Sequence, residues 1–397
     1  MLSLEDAQAA IAARIVPVDR TESVPLAGAV GRYTAEAVHA RVDHPAFDNS
    51  AMDGYALDTA QLSADHALPI GGESRCGSAP ATLAPRTAMR IFTGAPLPAG
   101  ADTVVIQENV RREDTRIVIN GDIKPGDHIR RRGEDFRAGD ILFAGNRRLS
   151  AADVALLATA GYAQVTLWRR PRVLVIATGD ELATPGAPLR PGQIYESNRL
   201  ATLLRLHALG ADAVDGGIVR DDPGALRAVL RDAADFDFVI TSGGASVGDH
   251  DIVRQVFADI GTVDFWKVRI KPGKPLAFGR TGNRTHFFAL PGNPVSSWVT
   301  FFLFVEPALA VWHRSASARV KLPATALRDF RREAGRREFL RARYCVHDGE
   351  LQVEAMSGQG SHRIAALRDA NCFIEVMEDS NGFSAGDTVT IIPFAQD

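Results

Sequence analysis

Between residues 171 and 316 the chain alternates nearly unbroken apolar runs with helical patterns. RVLVIAT (172–178) and FDFVITS (236–242) are the clearest runs, and helices are predicted through SNRLATLLRLHALG, from Asp222-Pro223, and through DIVRQVFADIG. DAVDGGIV, WKVRI, PLAFG and HFFAL are also strand-like, and a long helix is predicted after Asn293. Apolar strands separated by helices indicate a parallel sheet covered on both faces, a doubly wound α/β domain. Such sheets bind ligands outside the carboxyl ends of their strands.

Elsewhere the texture differs. Ser3 and Asp6 are spaced to cap a first helix, and in LSAADVALLATAG Ser150 and Asp153 open another that Gly161 closes. From 42 to 144 short β-like runs are broken by turns, Asn120-Gly121 in RIVINGDI and Gly-Asp in KPGDHI and RAGDIL. FDNSAMDGYA (47–56) lies in this β-rich section; Asn49-Ser50 and Asp53-Gly54 read as turn formers, the second as a hairpin signal. From 317 the chain is β-like again, with a hairpin predicted at Asp348-Gly349. The most apolar window, WVTFFLFVEPALAVW (298–312), is short for a membrane span and contains Glu306-Pro307, so it predicts a buried, kinked helix.

With 397 residues, 46% hydrophobic and 23% charged, the chain has the balance of a globular protein of about two to four domains. A net charge of −3 gives no electrostatic reason for a nucleic-acid partner. Cys76, Cys345 and Cys372 are far apart and form no CxxC pair, which argues against a disulfide framework and a structural zinc site. The first residues lack the basic flank and apolar run of a signal peptide. The expectation is a soluble, cytoplasmic protein with no membrane segment.

The candidate chemistry sits in the loops of the α/β section. ATGDEL places Thr178, Gly179, Asp180 and Glu181 past one apolar strand, and SGGASVGDHD places Ser242, Gly243, Gly244, Ser246, Asp249 and Asp251 past another. Adjacent glycines let backbone N–H groups approach an anion, although a tight strand-to-helix turn explains the same residues equally well. The spacing matches neither a dinucleotide fingerprint nor a P-loop. Lys267, Lys271 and Lys274 stand in WKVRIKPGKPLAFG, where Pro272 and Pro275 keep the backbone extended. In LPGNPVSS, Pro291-Gly292 predicts a sharp turn, Asn293 an N-cap and Pro294 a first helical residue, leaving free N–H groups beside Ser296 and Ser297 as an anion site. Carboxylates among such donors point to Mg²⁺.

Seven motifs stand here in one order: FDNSAMDGYA, IFTGAPLPAGADTVVIQE, RRRGED, ATGDEL, SGGASVGDHD, KPGKPLAFG and LPGNPVSS. Together they resemble the molybdenum insertase family, the molybdopterin molybdenumtransferases of MoeA type and the gephyrin E domain. The resemblance implies an elongated homodimer whose active sites are shared between subunits. It implies four sections: a discontinuous domain (1–41 and 145–170), an inserted β-rich domain (42–144), an α/β molybdopterin-binding domain (171–316) and a C-terminal β-barrel (317–397). It implies transfer of molybdenum from molybdate to adenylylated molybdopterin with Mg²⁺-dependent release of AMP. Molybdopterin adenylyltransferase and molybdoenzymes would be partners. Carried over by motif, Asp237, Ser242, Gly243, Gly244 and Ser246 would line the pterin-nucleotide pocket, joined by Pro291, Gly292, Asn293, Pro294 and Ser296. Glu181, Asp249 and Asp251 would hold the metal; Lys267, Lys271, Lys274 and Ser297 would hold molybdate or phosphate. Asp53, Thr93 and Asp135 would come from the β-rich domain, and Arg341 and Ser361 from the last section. Adenylyl transfer from ATP is the nearest rival reading, and a dimeric scaffold a more distant one; the β-rich and C-terminal sections favour insertion.

Overall fold

The computed structural model describes residues 1–231, 233–243, 252–282, 284–315 and 319–394. The chain divides into two compact units. One comprises Met1–Glu22, Gly31–Tyr33 and Trp168–Asp397, and the other Ser23–Val30 and Thr34–Leu167.

The first unit is built on a six-stranded sheet: β1 (Arg172–Thr178), β2 (Asp212–Val219), β3 (Phe238–Ser242), β4 (Gly261–Lys267), β5 (Pro275–Thr281) and β6 (Thr285–Leu290). Their order is β2-β1-β3-β6-β5-β4. Strands β2, β1, β3 and β6 are parallel, whereas β5 is antiparallel to both β6 and β4, so β4 runs with the parallel set. All residues of β3 and β6 are buried, the condition under which a strand loses its polar alternation. Val173, Val175, Phe238 and Ile240 face a core containing Leu203 and Leu206 of helix α2 (Asn198–Ala208). Leu174, Ile176 and Val239 face the opposite core, with Leu226 of α3 (Pro223–Leu230) and Val253 and Phe257 of α4 (Ile252–Ile260). The expected doubly wound sheet is therefore present, and Asp222 caps α3 by accepting from Ala225 N–H.

The apolar window forms helix α5 (Pro294–Trp312), most of it buried in the protein core. It widens to a π-turn over Phe301–Val305, just before Pro307. Proline has no N–H, so the Leu303 carbonyl lacks its helical donor. Gln8 of the first helix (Leu4–Arg14) supplies one from its side-chain Nε2 at 2.9 Å, and the Arg319 guanidinium donates to the Phe302 carbonyl. Leu4, Ala7 and Ile11 bury in the same core as α5, which is why this helix belongs to the α/β unit rather than with residues 145–170.

A barrel completes this unit. Strands β7 (Leu322–Ala326), β8 (Arg337–His347), β9 (Glu350–Ala355), β10 (Cys372–Val376) and β11 (Thr388–Pro393) close in the ring β8-β9-β7-β11-β10-β8. The predicted hairpin is present: His347 pairs with Glu350 across Asp348 and Gly349, both at positive φ. Along β8, Leu340 and Ala342 fill the barrel while Phe339 joins the α/β core, so one strand serves both layers. The Ile270–Lys271 segment pairs with the start of β8 at Arg337 and Glu338.

His286, at the start of β6, is 1% exposed between Phe238 and Phe278, and its Nε2 accepts the Val16 N–H at 3.2 Å. Burial pushes its pKa down to about 4. A histidine kept neutral in the fold contributes stability that is complete above about pH 6.5 and is lost as pH falls towards 4. We expect one extra proton taken up on unfolding in that window, worth about 3 kcal/mol. Denaturant unfolding of wild type and His286→Phe at pH 7 and pH 4 measures it; parallel acid losses in both proteins would refute it.

The second unit carries a six-stranded sheet in the order Thr103–Ile106, Gly54–Leu57, Ala88–Ile91, Ala67–Ser74, Arg116–Ile119, Val110–Glu113. Its cores are local. Tyr55, Leu68, Val105 and Ile117 form one, while Ala29, Val38, Phe143, Leu157 and Val165 form another around helix Ala151–Thr159. Ser150 and Asp153 cap that helix reciprocally, as their spacing predicts. Asn49-Ser50 differs from its reading as a turn: it pairs with Ile129-Arg130 as a short strand. Gly54 is likewise not a hairpin residue but opens a central strand, where a Cβ would stand 1.9 Å from the Val105 carbonyl oxygen.

Candidate functional site

The direction of the strands decides what gathers at the carboxyl edge of the α/β sheet. Thr178-Gly179, Val219 with Asp221, Ser242-Gly243, Lys267 and Leu290-Pro291 all leave parallel strands there. Lys274 precedes the antiparallel β5 and so starts at the same edge; its carbonyl accepts the Val268 N–H at 3.1 Å. The first three strands have the order β2-β1-β3, so the chain reverses direction of winding at β1. The crevice between β1 and β3 is thus the topological switch point, where doubly wound sheets take their ligands.

Glycine makes that crevice possible. Gly243 has φ +92°, and a Cβ on it would lie 2.4 Å from the Thr178 carbonyl oxygen. The Gly243 N–H donates to the Leu290 carbonyl at 3.2 Å, and a Cβ added to Gly292 would come within ordinary contact of Gly243. Asn198 adds a cross-tie, its side-chain Nδ2 donating to the Gly292 carbonyl at 2.7 Å. The buried hydroxyls of Thr178 and Thr241 have no hydrogen-bond partner among the described residues. Gly273 of KPGKP is buried, and a Cβ there would meet Thr300 of α5 at 2.6 Å, so this loop lies against the helix that follows Asn293.

Acidic groups converge at the same edge. Asp221 N–H donates to Asp180 Oδ1 at 3.4 Å. The Asp221 carboxyl is pushed above the ordinary carboxylate range, first by loss of hydration and then by the charges of Asp180 and Glu181. The Glu181 carboxylate folds back over Gly179, where a Cβ would stand 2.6 Å from its oxygen. Sequence reasoning missed Asp221 because Asp222-Pro223 already explained the acidic pair as a helix cap. Like charges in mutual range favour a divalent cation, and hard carboxylate oxygens are Mg²⁺ ligands, so the chemistry of these donors suits that ion, although Asp180, Glu181 and Asp221 do not by themselves converge on one metal position. Gly244, Ser246, Asp249 and Asp251 lie outside the described residues, and the described ones alone form no chelating His/Cys/Asp/Glu group.

Several predicted residues lie elsewhere or are engaged differently. Asp237 precedes β3 and is at its amino end, opposite the crevice; Arg169 grips it with two bonds of 2.6 Å and the Arg172 N–H adds a third. It is a structural ion pair and not a pocket wall. Asn293 makes no side-chain cap, and Ser296 and Ser297 are buried at 4% and 3% exposure rather than presented at the helix start. One amide of that turn, Val295 N–H, donates to the Ser361 carbonyl at 3.0 Å, which brings the loop after β9 onto α5. Lys271 pairs with buried Glu338 of the barrel at 3.0 Å, whereas Lys267 and Lys274 make no ion pair among the described residues. Arg341 is fully buried on β8; its Nη2 donates to the Gly358 carbonyl, while Nε and Nη1 have no partner among the described residues. A buried guanidinium with unused donors fits an anionic ligand.

The β-rich unit holds its own cluster. Asp53 Oδ1 accepts both the N–H and the hydroxyl of Thr93, at 2.7 and 2.9 Å, and these bonds hold its carboxyl below the ordinary range. Ser50 sets the preceding bend, its Oγ bonding Met52 O and N. Asp48 binds Arg131 and the Arg132 N–H, tying FDNSAMDGYA to RRRGED, and Asp135 is exposed on that second loop.

The family model described as MoeA N-terminal region (domain I and II) matches residues 2–161. That of a probable molybdopterin binding domain matches 174–311, and the MoeA C-terminal region (domain IV) matches 323–394. A molybdopterin molybdenumtransferase of Haemophilus influenzae is 39% identical over 402 residues, covering 99% of each chain. Another from Nostoc is 43% identical over 299 residues, 73% of this chain and 69% of that protein. The crystal structure of a molybdopterin biosynthesis MoeA protein from Pyrococcus horikoshii superposes with a TM-score of 0.84 at 28% identity, covering 99% of this chain and all of that one.

Proposed function

Because the chain belongs to the MoeA family of molybdopterin molybdenumtransferases, we propose that it converts adenylylated molybdopterin and molybdate to molybdenum cofactor with release of AMP. It is a transferase of molybdenum cofactor biosynthesis, and we read it as a soluble cytoplasmic homodimer. The observation that carries the reaction is the meeting of glycine amides, lysines with no ion pair among the described residues and three carboxylates at one sheet edge.

Each group has a role there. The crevice at Thr178, Ser242 and Gly243 admits the pterin nucleotide, and Gly243 and Gly292 let main chain approach its phosphates. Lys267 and Lys274 face the anionic partners, for which fixed cations and amides suffice without a cysteine or histidine cage. Asp180, Glu181 and Asp221 would hold Mg²⁺, with Asp249 and Asp251 as the motif implies. When bound, the ion neutralises phosphoanhydride charge. The Nε and Nη1 of Arg341, which have no partner among the described residues, hold molybdate or phosphate oxygens beside the Ser361 loop. The dithiolene of the substrate provides the soft ligands for molybdenum. Asp53, ionised and fixed by Thr93, acts in the pocket of the partner subunit.

The test is AMP release from adenylylated molybdopterin, followed chromatographically with and without molybdate and Mg²⁺. Release is expected to depend on both, and release indifferent to molybdate would sink the insertase reading. AMP formed instead from ATP and free molybdopterin would assign adenylyl transfer. Sharing of the site is tested by mixing Asp53→Ala with Lys274→Ala protein. Exchange of subunits should restore about a quarter of wild-type activity, since half the dimers then carry one intact site. No recovery would place Asp53 in its own chain's site.

A further inference from the structure

In the strand Ala88–Ile91 of the β-rich unit, Ala88, Met89 and Ile91 are buried and Arg90 is half-buried. Arg90 lies opposite Tyr55 in the antiparallel register with Gly54–Leu57. Its guanidinium reaches the start of that strand, where Nη1 donates to the Gly54 carbonyl at 3.1 Å and Nη2 to Gln107 Oε1 at 2.9 Å. Gln107 in turn donates its main-chain N–H to the Asp53 carbonyl at 3.0 Å. The consecutive carbonyls of Asp53 and Gly54 are thus tied to one arginine, the second directly and the first through Gln107.

The guanidinium is itself held in place. Its carbon stands 4.9 Å from the Phe92 ring centroid and 5.3 Å from that of Tyr55, distances at which cation and ring attract. No carboxylate pairs directly with it among the described residues; Glu73, beside it in the parallel register with Ala67–Ser74, is taken by Arg75. A neutral amide could donate to the two oxygens that Arg90 binds, so they do not account for its positive charge. Asp53 does: its carboxyl is held below the ordinary range first by the Thr93 bonds and further by the charge of Arg90. Thr93, three residues beyond Arg90, occupies only Oδ1 of Asp53, and Oδ2 accepts no hydrogen bond among the described residues. One short segment, 90–93, therefore grips Asp53 at its main chain and at one carboxylate oxygen, leaving the other oxygen available.

We propose that Arg90 is the positioning residue for Asp53, setting where the available Oδ2 stands by holding the Gly54 carbonyl and, through Gln107, the Asp53 carbonyl. Its part in the reaction rests on the reading of Asp53 as a participant in molybdenum transfer; its hold on the bend does not. Arg90 touches no substrate and acts through Asp53.

Turnover and hydrogen–deuterium exchange of the full-length protein test it together. Arg90→Gln is expected to lower kcat for AMP release about ten- to a hundredfold, the scale of loss when a reacting group is slightly misplaced. KM for adenylylated molybdopterin and for molybdate should not change. Arg90→Lys, which keeps the charge and a donor, should retain more of the rate, and Gln107→Leu, which removes one of the two ties, should lose less. In an Asp53→Ala background Arg90→Gln should add nothing, because the group it positions is gone. The amides of Thr93 and Gln107 should exchange about tenfold faster in Arg90→Gln, while those of Arg116–Ile119 keep wild-type rates. Full turnover in Arg90→Gln, a further loss in the double variant, or wild-type exchange at Thr93 and Gln107 would each overturn the proposal. If Asp53→Ala alone kept full activity, the reading of Asp53 would fail, and the exchange rates would still decide whether Arg90 fixes the bend.

Discussion

Gly243→Ala is expected to cost about 3–5 kcal/mol of stability and to abolish measurable turnover. The left-handed φ alone costs a non-glycine residue about 1–2 kcal/mol. The larger share is the collision of the new Cβ, 2.4 Å from the Thr178 carbonyl oxygen, with main chain that cannot rotate away. Relief requires β1 and β3 to separate at their carboxyl ends, which opens the crevice itself. Gly292→Ala is the internal control: its Cβ would sit 3.7 Å from Gly243, an ordinary contact, and its φ is not positive, so stability should change by less than about 1 kcal/mol. Denaturant unfolding of the two variants decides the matter. Equal stabilities would show that the approach of 178 to 243 is not rigidly held.

Asp221→Asn should lower the rate of AMP release about a hundredfold or more, the scale seen when one preorganised electrostatic contact is removed. Its stability should move the other way or not at all. The carboxyl is crowded by Asp180 and Glu181, so neutralising it removes a repulsion from the folded state. Loss of activity with an unchanged or raised melting temperature separates a functional carboxylate from a structural one. A drop in melting temperature proportional to the loss of rate would reverse that assignment. The same substitution should weaken Mg²⁺ dependence, shifting the half-saturating Mg²⁺ concentration upwards.

Much of the site was legible because apolar strands reveal their direction. Once RVLVIAT, FDFVITS and HFFAL are parallel strands, the residues following each must share an edge, and Gly179, Gly243 and Pro291 do so. What failed was anything that depended on which strand lies beside which. Asp221 approaches Asp180 only because β2 pairs with β1, and Lys271 meets Glu338 only across 67 residues of chain. Asp237 shows the opposite error. It is five strand residues from Gly243's neighbour Ser242 in sequence, but at about 3.3 Å per residue that is roughly 16 Å, the whole depth of the sheet. Gly54 was read as a turn from its Asp-Gly pair, whereas its lack of a side chain serves a strand that passes under the Val105 carbonyl.

The donation from Gln8 to the Leu303 carbonyl joins positions 295 apart. Synthesis at about 5–20 residues per second therefore leaves roughly 15–60 s between the emergence of the first helix and that of its partner. Throughout that interval Leu4, Ala7 and Ile11 lack the part of their core that Val299, Leu303 and Ala308 supply, and the α/β unit cannot close around the first helix. Its assembly on the ribosome is in this respect end-to-end rather than progressive: the helix Leu4–Arg14 completes its contacts only when a segment 295 residues later has been made.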